Sequence, residues 1–424
     1  MKPYERVLAA IEKKPTDRVP VYHASICSRM ASLLLGREAH VGGGIQQYRE
    51  AVALWIGEDA HREFLERTRQ DTIDIAEALD CDLVRPTYWR MNEKPTDQID
   101  DNTFMYGNRD AAWKIMRCDP DSELYQTIDH SPRAELTEEA VEKQIERMWE
   151  RLPDYDPVDE NHRAIEAMVK HFEGDRMVAL QGAGIGIPNR TTEWFEMIAL
   201  RPDLVKRNIE IQTEYTVKRI DSYRDVNGKI MLGGGDMAWN EGPIYSPKFF
   251  REVMAPGFKR ITDACRAMAK CHCFASDGNL WPIADDLFPV VDGYYEIDRR
   301  AGMDLRRLKE AYPHLTLIGN ISSRIEGLTS EPILLGGFFS QTFEADHYVW
   351  SERFIFEPRV EPGISQTILD ELRAADIRLL VFTHYNNSPC LRVMGFDGRL
   401  RNFAGGCEAC PNPEPELTHL ETRR

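Results

Sequence analysis

Short apolar runs recur along the chain, each closed by a glycine or a polar cluster, and stretches with three-to-four-residue apolar spacing lie between them. Tyr4 to Ile11 carries that helical spacing and meets the turn Lys14-Pro15-Thr16-Asp17-Arg18-Val19-Pro20. Val19 to Ile26 predicts a first strand, with Tyr22 and His23 among its polar residues. From Ser28 to about Leu79 the pattern is helical, broken at Gly42-Gly43-Gly44, and a second strand, Cys81 to Pro86, ends in Thr87-Tyr88-Trp89-Arg90. Residues 91 to 135 are polar, turn-rich and aromatic, which predicts a small antiparallel insertion over the mouth of the fold. Charged helices over Glu135 to Leu152 and Ala164 to His171 follow, and then the strand Arg176 to Gln181. The remaining units are helix Pro202 to Asp225, strand Lys229 to Leu232, helix Pro247 to Met268, strand Cys271 to Ala275, a short helix from Pro282, strand Val290 to Asp298, helix Asp304 to Ala311 and strand Leu315 to Asn320.

Seven apolar strands alternating with helices are the pattern of parallel βα units buried on both faces. The expected fold class is α/β: a single (β/α)8 TIM barrel over residues 1–390, with the insertion after the second strand, a divergent C-terminal segment at 330–390 and a tail at 391–424. Most strands end in polar groups, among them Tyr22-His23, Gln181, Asp236, Asp277, Glu296, Asp298 and Asn320. In such a barrel these ends converge on one face, where sites are built. For any one residue, an ordinary turn former explains the same observation.

Composition narrows the classes. With 53 basic against 70 acidic residues and a net charge of −17, the chain has no basic stripe for nucleic acid or anionic lipid. No apolar stretch has the length of a membrane span and the start lacks a signal-like apolar segment, so a cytoplasmic protein is expected. The 9 cysteines, an odd number without framework spacing, fit reduced thiols.

Three stretches carry candidate chemistry. Gly182-Ala183-Gly184-Ile185-Gly186 resembles a phosphate loop, but Pro188 stands where a third glycine belongs, and close approach of a loop to a ligand is the expected reading. Cys271-His272-Cys273 precedes the turn Ser276-Asp277-Gly278-Asn279; strand alternation puts Cys271 and Cys273 on one face with Ala275 and Asp277, and His272 on the other. Asp277 is expected as the central group, with Asp236 from the preceding strand facing it, since two close carboxylates push one pKa upward and suit acid–base work. His23, Tyr22 and His384 would supply donors; Gln181, Asn279, Trp281, Glu296, Asp298 and Asn320 would contact substrate.

The start Glu5 to Ile11 with Pro15 to Val21, the segment Gly234 to Ile261, the turn Ser276 to Pro282, and Ala301 to Lys309 followed by Leu317-Ile318-Gly319-Asn320-Ile321 together resemble the uroporphyrinogen decarboxylase superfamily, in register over residues 1 to about 325. That superfamily includes decarboxylases of haem synthesis and corrinoid-linked methyltransferases. The resemblance implies one (β/α)8 barrel, often a homodimer, reacting in the barrel mouth. The decarboxylases carry an Arg-Gln-Ala-Gly-Arg motif where this chain has His23 to Arg29 with a single arginine, so the methyltransferase-like branch is the expected one. It implies methyl transfer between a small methylated substrate and a thiol acceptor or a corrinoid on a partner protein. The alternatives are a decarboxylase of a tetrapyrrole or other carboxylate, and a non-catalytic barrel that binds a corrinoid or tetrapyrrole. The methyltransferases hold zinc through His-x-Cys, and the matching positions here are Ala275 and Asp277. A shifted zinc site from Cys273, Asp277 and Asp236 is one reading, and buried wall cysteines are the other. After Ser330 the resemblance fades; Ile377 to Tyr385 is a candidate eighth strand bearing His384. Cys407, Cys410 and His419 could hold zinc or be tail thiols.

Overall fold

The same strands bury apolar side chains on both faces. A computed structural model describes residues 1–86, 90–119, 123–132, 136–188, 192–299 and 301–319, together with the backbone of five later strands. Asn320, Cys407, Cys410 and His419 lie outside the described residues. The chain begins with α1 (Pro3–Ile11), β1 (Val21–His23), α2 (Ser28–Leu35), α3 (Gly44–Ile56), α4 (Glu58–Ala78) and β2 (Leu83–Val84). It then forms an antiparallel meander of β3 (Asp97–Asp100), β4 (Thr103–Gly107), β5 (Trp113–Asp119) and β6 (Leu124–His130). Next come α5 (Glu138–Arg151), α6 (Glu160–Phe172), β7 (Met177–Val178), β8 (Leu180–Gln181), α7 (Thr192–Leu200), α8 (Pro202–Asp221) and β9 (Ile230–Gly234). A small hairpin, β10 (Ala238–Trp239) and β11 (Gly242–Pro243), leads to α9 (Pro247–Phe249), a π-helical turn at Phe250–Met254, and α10 (Ala255–Ala267). The last units are β12 (Cys271–Ala275), α11 (Ala284–Leu287), β13 (Gly293–Ile297), α12 (Leu305–Ala311), β14 (Thr316–Gly319), β15 (Ile333–Leu335), β16 (Ser340–Thr342), β17 (Ile377–Tyr385), β18 (Ser388–Gly395) and β19 (Leu400–Asn402).

The core ladder is parallel: β1 pairs with β2 and β2 with β7, while β8 pairs with β9, β9 with β12, β12 with β13 and β13 with β14. Only Ala179 separates β7 from β8, so one extended segment belongs to both sheets. β16 lies antiparallel on the other edge of β1 and also in contact with β14.

One face of this ladder packs inward, through Tyr22, Leu83, Ala179, Leu232, Cys273, Ala275, Tyr295 and Ile318, and Val7 of α1 closes it from below. The opposite face, with Val84, Val178, Met231, Phe274, Tyr294 and Leu317, packs on the helices through Val205, Ile209, Phe258, Ile261 and Leu308. Burial on both sides is why these strands read as continuous apolar runs rather than alternating ones. Phe274 meets Phe258 edge to face at 5.1 Å, and losing such a ring typically costs about 3–5 kcal/mol.

The helical stretch expected from Ser28 to about Leu79, broken at Gly42-Gly43-Gly44, is three helices, with a second break at Gly57. α2 ends on Gly36 in the left-handed region (φ 64°) and α4 starts after Gly57 (φ 146°). The meander leans on α3 through Ala51, Phe104, Tyr106 and Tyr125, and Gly44 is small because a Cβ there would meet the Glu123 carbonyl at 2.6 Å. Glu50, wholly buried, binds Arg90 through both carboxylate oxygens and accepts from the Met91 amide, which fixes the start of the insertion.

β17 takes a different place from the expected eighth strand. It pairs with β15 and β18 in a separate sheet, and the edge of β1 is held by β16. The two residues between β17 and β18 in sequence, Asn386-Asn387, favour a local hairpin over a distant partner. His384 therefore lies on a strand of that second sheet. Among the described residues no helix is long and apolar enough to cross a membrane.

Candidate active site

The carboxylates gather because three strands are in step. Gly234 of β9, Ala275 of β12 and Tyr295 of β13 are level in the ladder, so Asp236 and Asp277 leave adjacent strands at one height. On β13 the register shifts between Tyr295 and Ile297, and Glu296 adopts a left-handed backbone (φ 67°). A non-glycine residue in that region costs roughly 1–2 kcal/mol, and such strain concentrates at working sites. Here it takes Glu296 out of the strand alternation and into the field of Asp277, Asp236 and Arg85.

The electrostatics follow from that crowding. The Asp277 carboxyl is pushed up to about 6, first by burial among surrounding protein and then by Asp236 and Asp298, although its open side reaches solvent. Glu296 is pushed up to about 8 by burial and then by Asp277, with Arg85 opposing and Asp236 adding to the rise. Near neutral pH Glu296 therefore holds a proton while Asp277 stands close to its own titration.

The turn bearing Asp277 is fixed from several directions. Ser276 Oγ donates to the Asp277 carbonyl (2.9 Å) and accepts from the Met237 amide (2.9 Å), and Tyr294 OH donates to the Ser276 carbonyl (3.1 Å). Gly278 (φ 85°) passes so close to the Ala238 carbonyl that a Cβ would sit at 2.5 Å. Asn279 Oδ1 accepts from the Trp281 amide (3.1 Å), and its own amide donates to the Trp239 carbonyl (2.8 Å). Trp281 Nε1 donates to the Gly302 carbonyl (2.8 Å) while the Arg307 guanidinium lies 3.7 Å over its ring. Asn279 and Trp281, expected at the substrate, thus hold the turn that presents Asp277.

Lower in the ladder, level with Leu232 and Cys273, Gln181 meets a residue the strand-end reading missed. Arg85 stands two residues beyond inward-facing Leu83, and its Nη2 makes a long contact of 3.5 Å to Gln181 Oε1. Parity along the second strand singles out Arg85, whereas Arg90 at the expected strand end pairs with Glu50. Gln181 is only 8% exposed, and its Nε2 has no hydrogen-bond partner among the described residues.

Other expected site residues lie elsewhere. Tyr22 is wholly buried in the inward cluster, near Tyr295. His23, next in sequence and so on the opposite face, lines a small cavity of about 40 Å³ with Ser25, Cys81 and Thr72 of α4, and burial pushes its imidazole down to about 4. A place as donor in the mouth is therefore corrected to a neutral side chain facing α4.

Cys271 and Cys273 do share a face, with their sulfurs 3.7 Å apart. Cys273 packs in the interior cluster, four residues below Asp277, which is about 13 Å along a strand. The set Cys273, Asp277 and Asp236 is thus not brought together, and among the described residues no group of three or more His, Cys, Asp or Glu side chains is arranged to hold a metal. His272 is a core residue: Nε2 lies 3.1 Å from the Ala183 carbonyl and Nδ1 2.7 Å from Thr262 Oγ1. Donation to the carbonyl and acceptance from the hydroxyl define a neutral ring, and burial pushes its pKa down to about 4.

The glycine run, expected against a ligand, packs against backbone. A Cβ on Gly184 would meet the Gly234 carbonyl at 2.4 Å, one on Gly233 the Ala183 carbonyl at 2.2 Å, and one on Gly234 the Ala275 carbonyl at 2.3 Å. These glycines let three segments nest, and so set the spacing of the strands that carry Asp236 and Asp277.

No family model and no curated protein matches the chain. Among solved structures it is similar to the C-terminal domain of a chitinase-type protein from Desulfitobacterium hafniense, at 10% identity and a TM-score of 0.26 over 57% of this chain and 70% of the other. It is likewise similar to the spore cortex-lytic enzyme SleL of Bacillus megaterium QM B1551, at 10% identity and a TM-score of 0.26 over 66% of each chain. Likeness at that level carries no argument about fold or activity.

Proposed function

We propose that the chain is a (β/α)8-barrel enzyme like those of the uroporphyrinogen decarboxylase superfamily, of the methyltransferase-like branch, and that it moves a methyl group from a small methylated substrate to a thiol or to a corrinoid on a partner protein. The observation that supports this reading is the gathering of Asp236, Asp277 and Glu296 at the ends of three strands in step. An acceptor nucleophile attacks the methyl carbon, the electron pair of the breaking bond passes to the donor's heteroatom, and the Asp277 proton moves to that heteroatom so that a neutral group leaves. Asp277, at about 6, is matched to that duty near neutrality, and the proton that an acceptor thiol gives up on attack restores the acid, beside Glu296 raised to about 8. Asp236 and Asp298 keep the proton on the pair by their charge.

The donor set for the zinc of the resembling methyltransferases does not fit here: Ala275 occupies one ligand position and Cys273 sits below the mouth. No step is assigned to a metal. A tetrapyrrole polycarboxylate would face Asp236, Asp277, Glu296 and Asp298 with Arg85 opposite, so like charge opposes the decarboxylase alternative.

The test is turnover of methylcobalamin with a thiol, run beside a coproporphyrinogen decarboxylation assay. Asp277→Asn is expected to lower methyl transfer by about 10²–10⁴-fold with the fold unchanged. Unaltered turnover in that variant removes the assignment, and corrinoid binding without turnover by the native protein favours a non-catalytic barrel.

A further inference from the structure

Two thiols lie at the lower end of β12, away from the carboxylates and outside the proposed reaction. Strand alternation sets Cys271 and Cys273 on one face, and their sulfurs are in S–H···S contact at 3.7 Å. Room for the Cys273 sulfur comes from the neighbouring strand. Gly293 is its partner in register, and a Cβ there would stand 2.6 Å from that sulfur. Cys273 is wholly buried, and partly exposed Cys271 leads to it from outside. A positive charge is brought to the same place. Lys13, just past α1, adopts a left-handed backbone (φ 58°), and its ammonium donates to the Leu315 carbonyl (2.6 Å) and to Thr316 Oγ1 (3.0 Å), where it acts on both thiols. A non-glycine residue in that region costs roughly 1–2 kcal/mol, which is spent here on holding a cation beneath the strands.

We propose that Cys271 and Cys273 bind a soft monovalent metal ion of the copper(I) class between their sulfurs, with Lys13 beside it. Both thiol protons leave to solvent, two metal–sulfur bonds form, and no electron is transferred. The product, one cation on two thiolates, carries a single negative charge, and the Lys13 ammonium answers it. Thiolate ligands select copper(I). Zinc takes three or four protein ligands, and among the described residues no third His, Cys, Asp or Glu is arranged with the pair. A disulfide is disfavoured as well, because residues two apart on a strand have Cα atoms about 6.4–6.8 Å apart, near the upper limit for that bridge. Turning the partly exposed Cys271 side chain to another rotamer adjusts the sulfur separation to a two-coordinate ion, while Cys273 stays seated over Gly293.

Competition between the reduced full chain and bicinchoninate, whose copper(I) complex is coloured, tests this in the absence of oxygen. The chain is expected to withdraw copper(I) from the chelator, and to go on doing so when Cys407→Ser and Cys410→Ser remove the other closely spaced thiols. In that background Cys271→Ser should weaken copper(I) binding at least about tenfold, with circular dichroism confirming the fold. Cys271→Met, which restores a soft sulfur, should recover part of the loss, and Lys13→Gln should weaken binding about two- to fivefold. X-ray absorption of the loaded chain should show two sulfur neighbours and no others. Failure to draw copper(I) from the chelator, loss of all binding with the Cys407 and Cys410 changes alone, affinity indifferent to Cys271→Ser, zinc held as tightly as copper(I), or nitrogen and oxygen among the neighbours of the ion overturns the proposal.

Discussion

The two ends of the parallel strands treat acidic residues in opposite ways. At the lower end Asp82, wholly buried, accepts from Arg6, from Arg18 and from the Val21 amide (2.7 Å). Arg6 in turn donates to Asp17 (2.6 Å), and Arg18 to Asp80 (2.8 Å). Every charge there has an opposite charge in hydrogen-bonding contact. At the upper end carboxylates crowd one another: Asp277 is raised to about 6 by burial and then by Asp236 and Asp298, and Glu296 to about 8 by burial and then by Asp277, with Arg85 opposing. The contrast separates two uses of charge: pairing with arginines locks α1 beneath the strands, while mutual proximity raises the carboxyls above.

The contrast is broken most directly at its lower end. Asp82→Ala removes the buried carboxylate that Arg6 and Arg18 share, leaving each only its outer partner, and is expected to cost about 3 kcal/mol in urea unfolding; a loss below about 1 kcal/mol would mean that Asp17, Asp80 and solvent satisfy the arginines without it. A smaller effect is expected between the two ends. Gly233→Ala pushes a methyl into the Ala183 carbonyl, and a loss of about 1–3 kcal/mol should appear in the same measurement. The smallest effect sharpens the upper end. The Asp277 carboxyl is raised from an ordinary 3.8 to about 6, so folding favours its protonated form. That contribution is complete below the ordinary value and is lost as pH rises through about 6. Asp277→Asn should therefore be more stable than the native protein by about 1 kcal/mol at mildly alkaline pH, allowing for its open side, and no more stable in acid. Parallel stability curves for the two proteins would show that the carboxylates do not feel one another.

Much of this division was written in local pattern. The succession of apolar runs and helices, the opposed faces of Cys273 and His272, and the prominence of Asp277 all follow from strand period and turn residues. The pairing that gives those residues their roles was not local. Arg18 belongs to the start motif that carries the family resemblance, yet its work is the basal network, with partners more than sixty residues away in Asp82 and Asp80. Arg85 was passed over because a basic side chain in mid-strand looks like a surface residue until Gln181, 96 residues on, is beside it. Glu296 gains its place from a register shift that no periodicity announces. Asn279 and Trp281 show the converse: residues beside the site in sequence serve its scaffold in space.

One uncharged residue governs how far apart the unlike charges stand. Ala179 is the point at which a single extended segment passes from β2 to β9; its amide donates to the Val84 carbonyl, and four residues on the Ala183 amide donates to the Leu232 carbonyl. Arg85 belongs to the sheet before that point, and the strands bearing the carboxylates to the sheet after it. The segment acts as a caliper. A change of angle there would open or close the distance between cation and anions without touching either, so a plain alanine sets a spacing that no charged residue fixes.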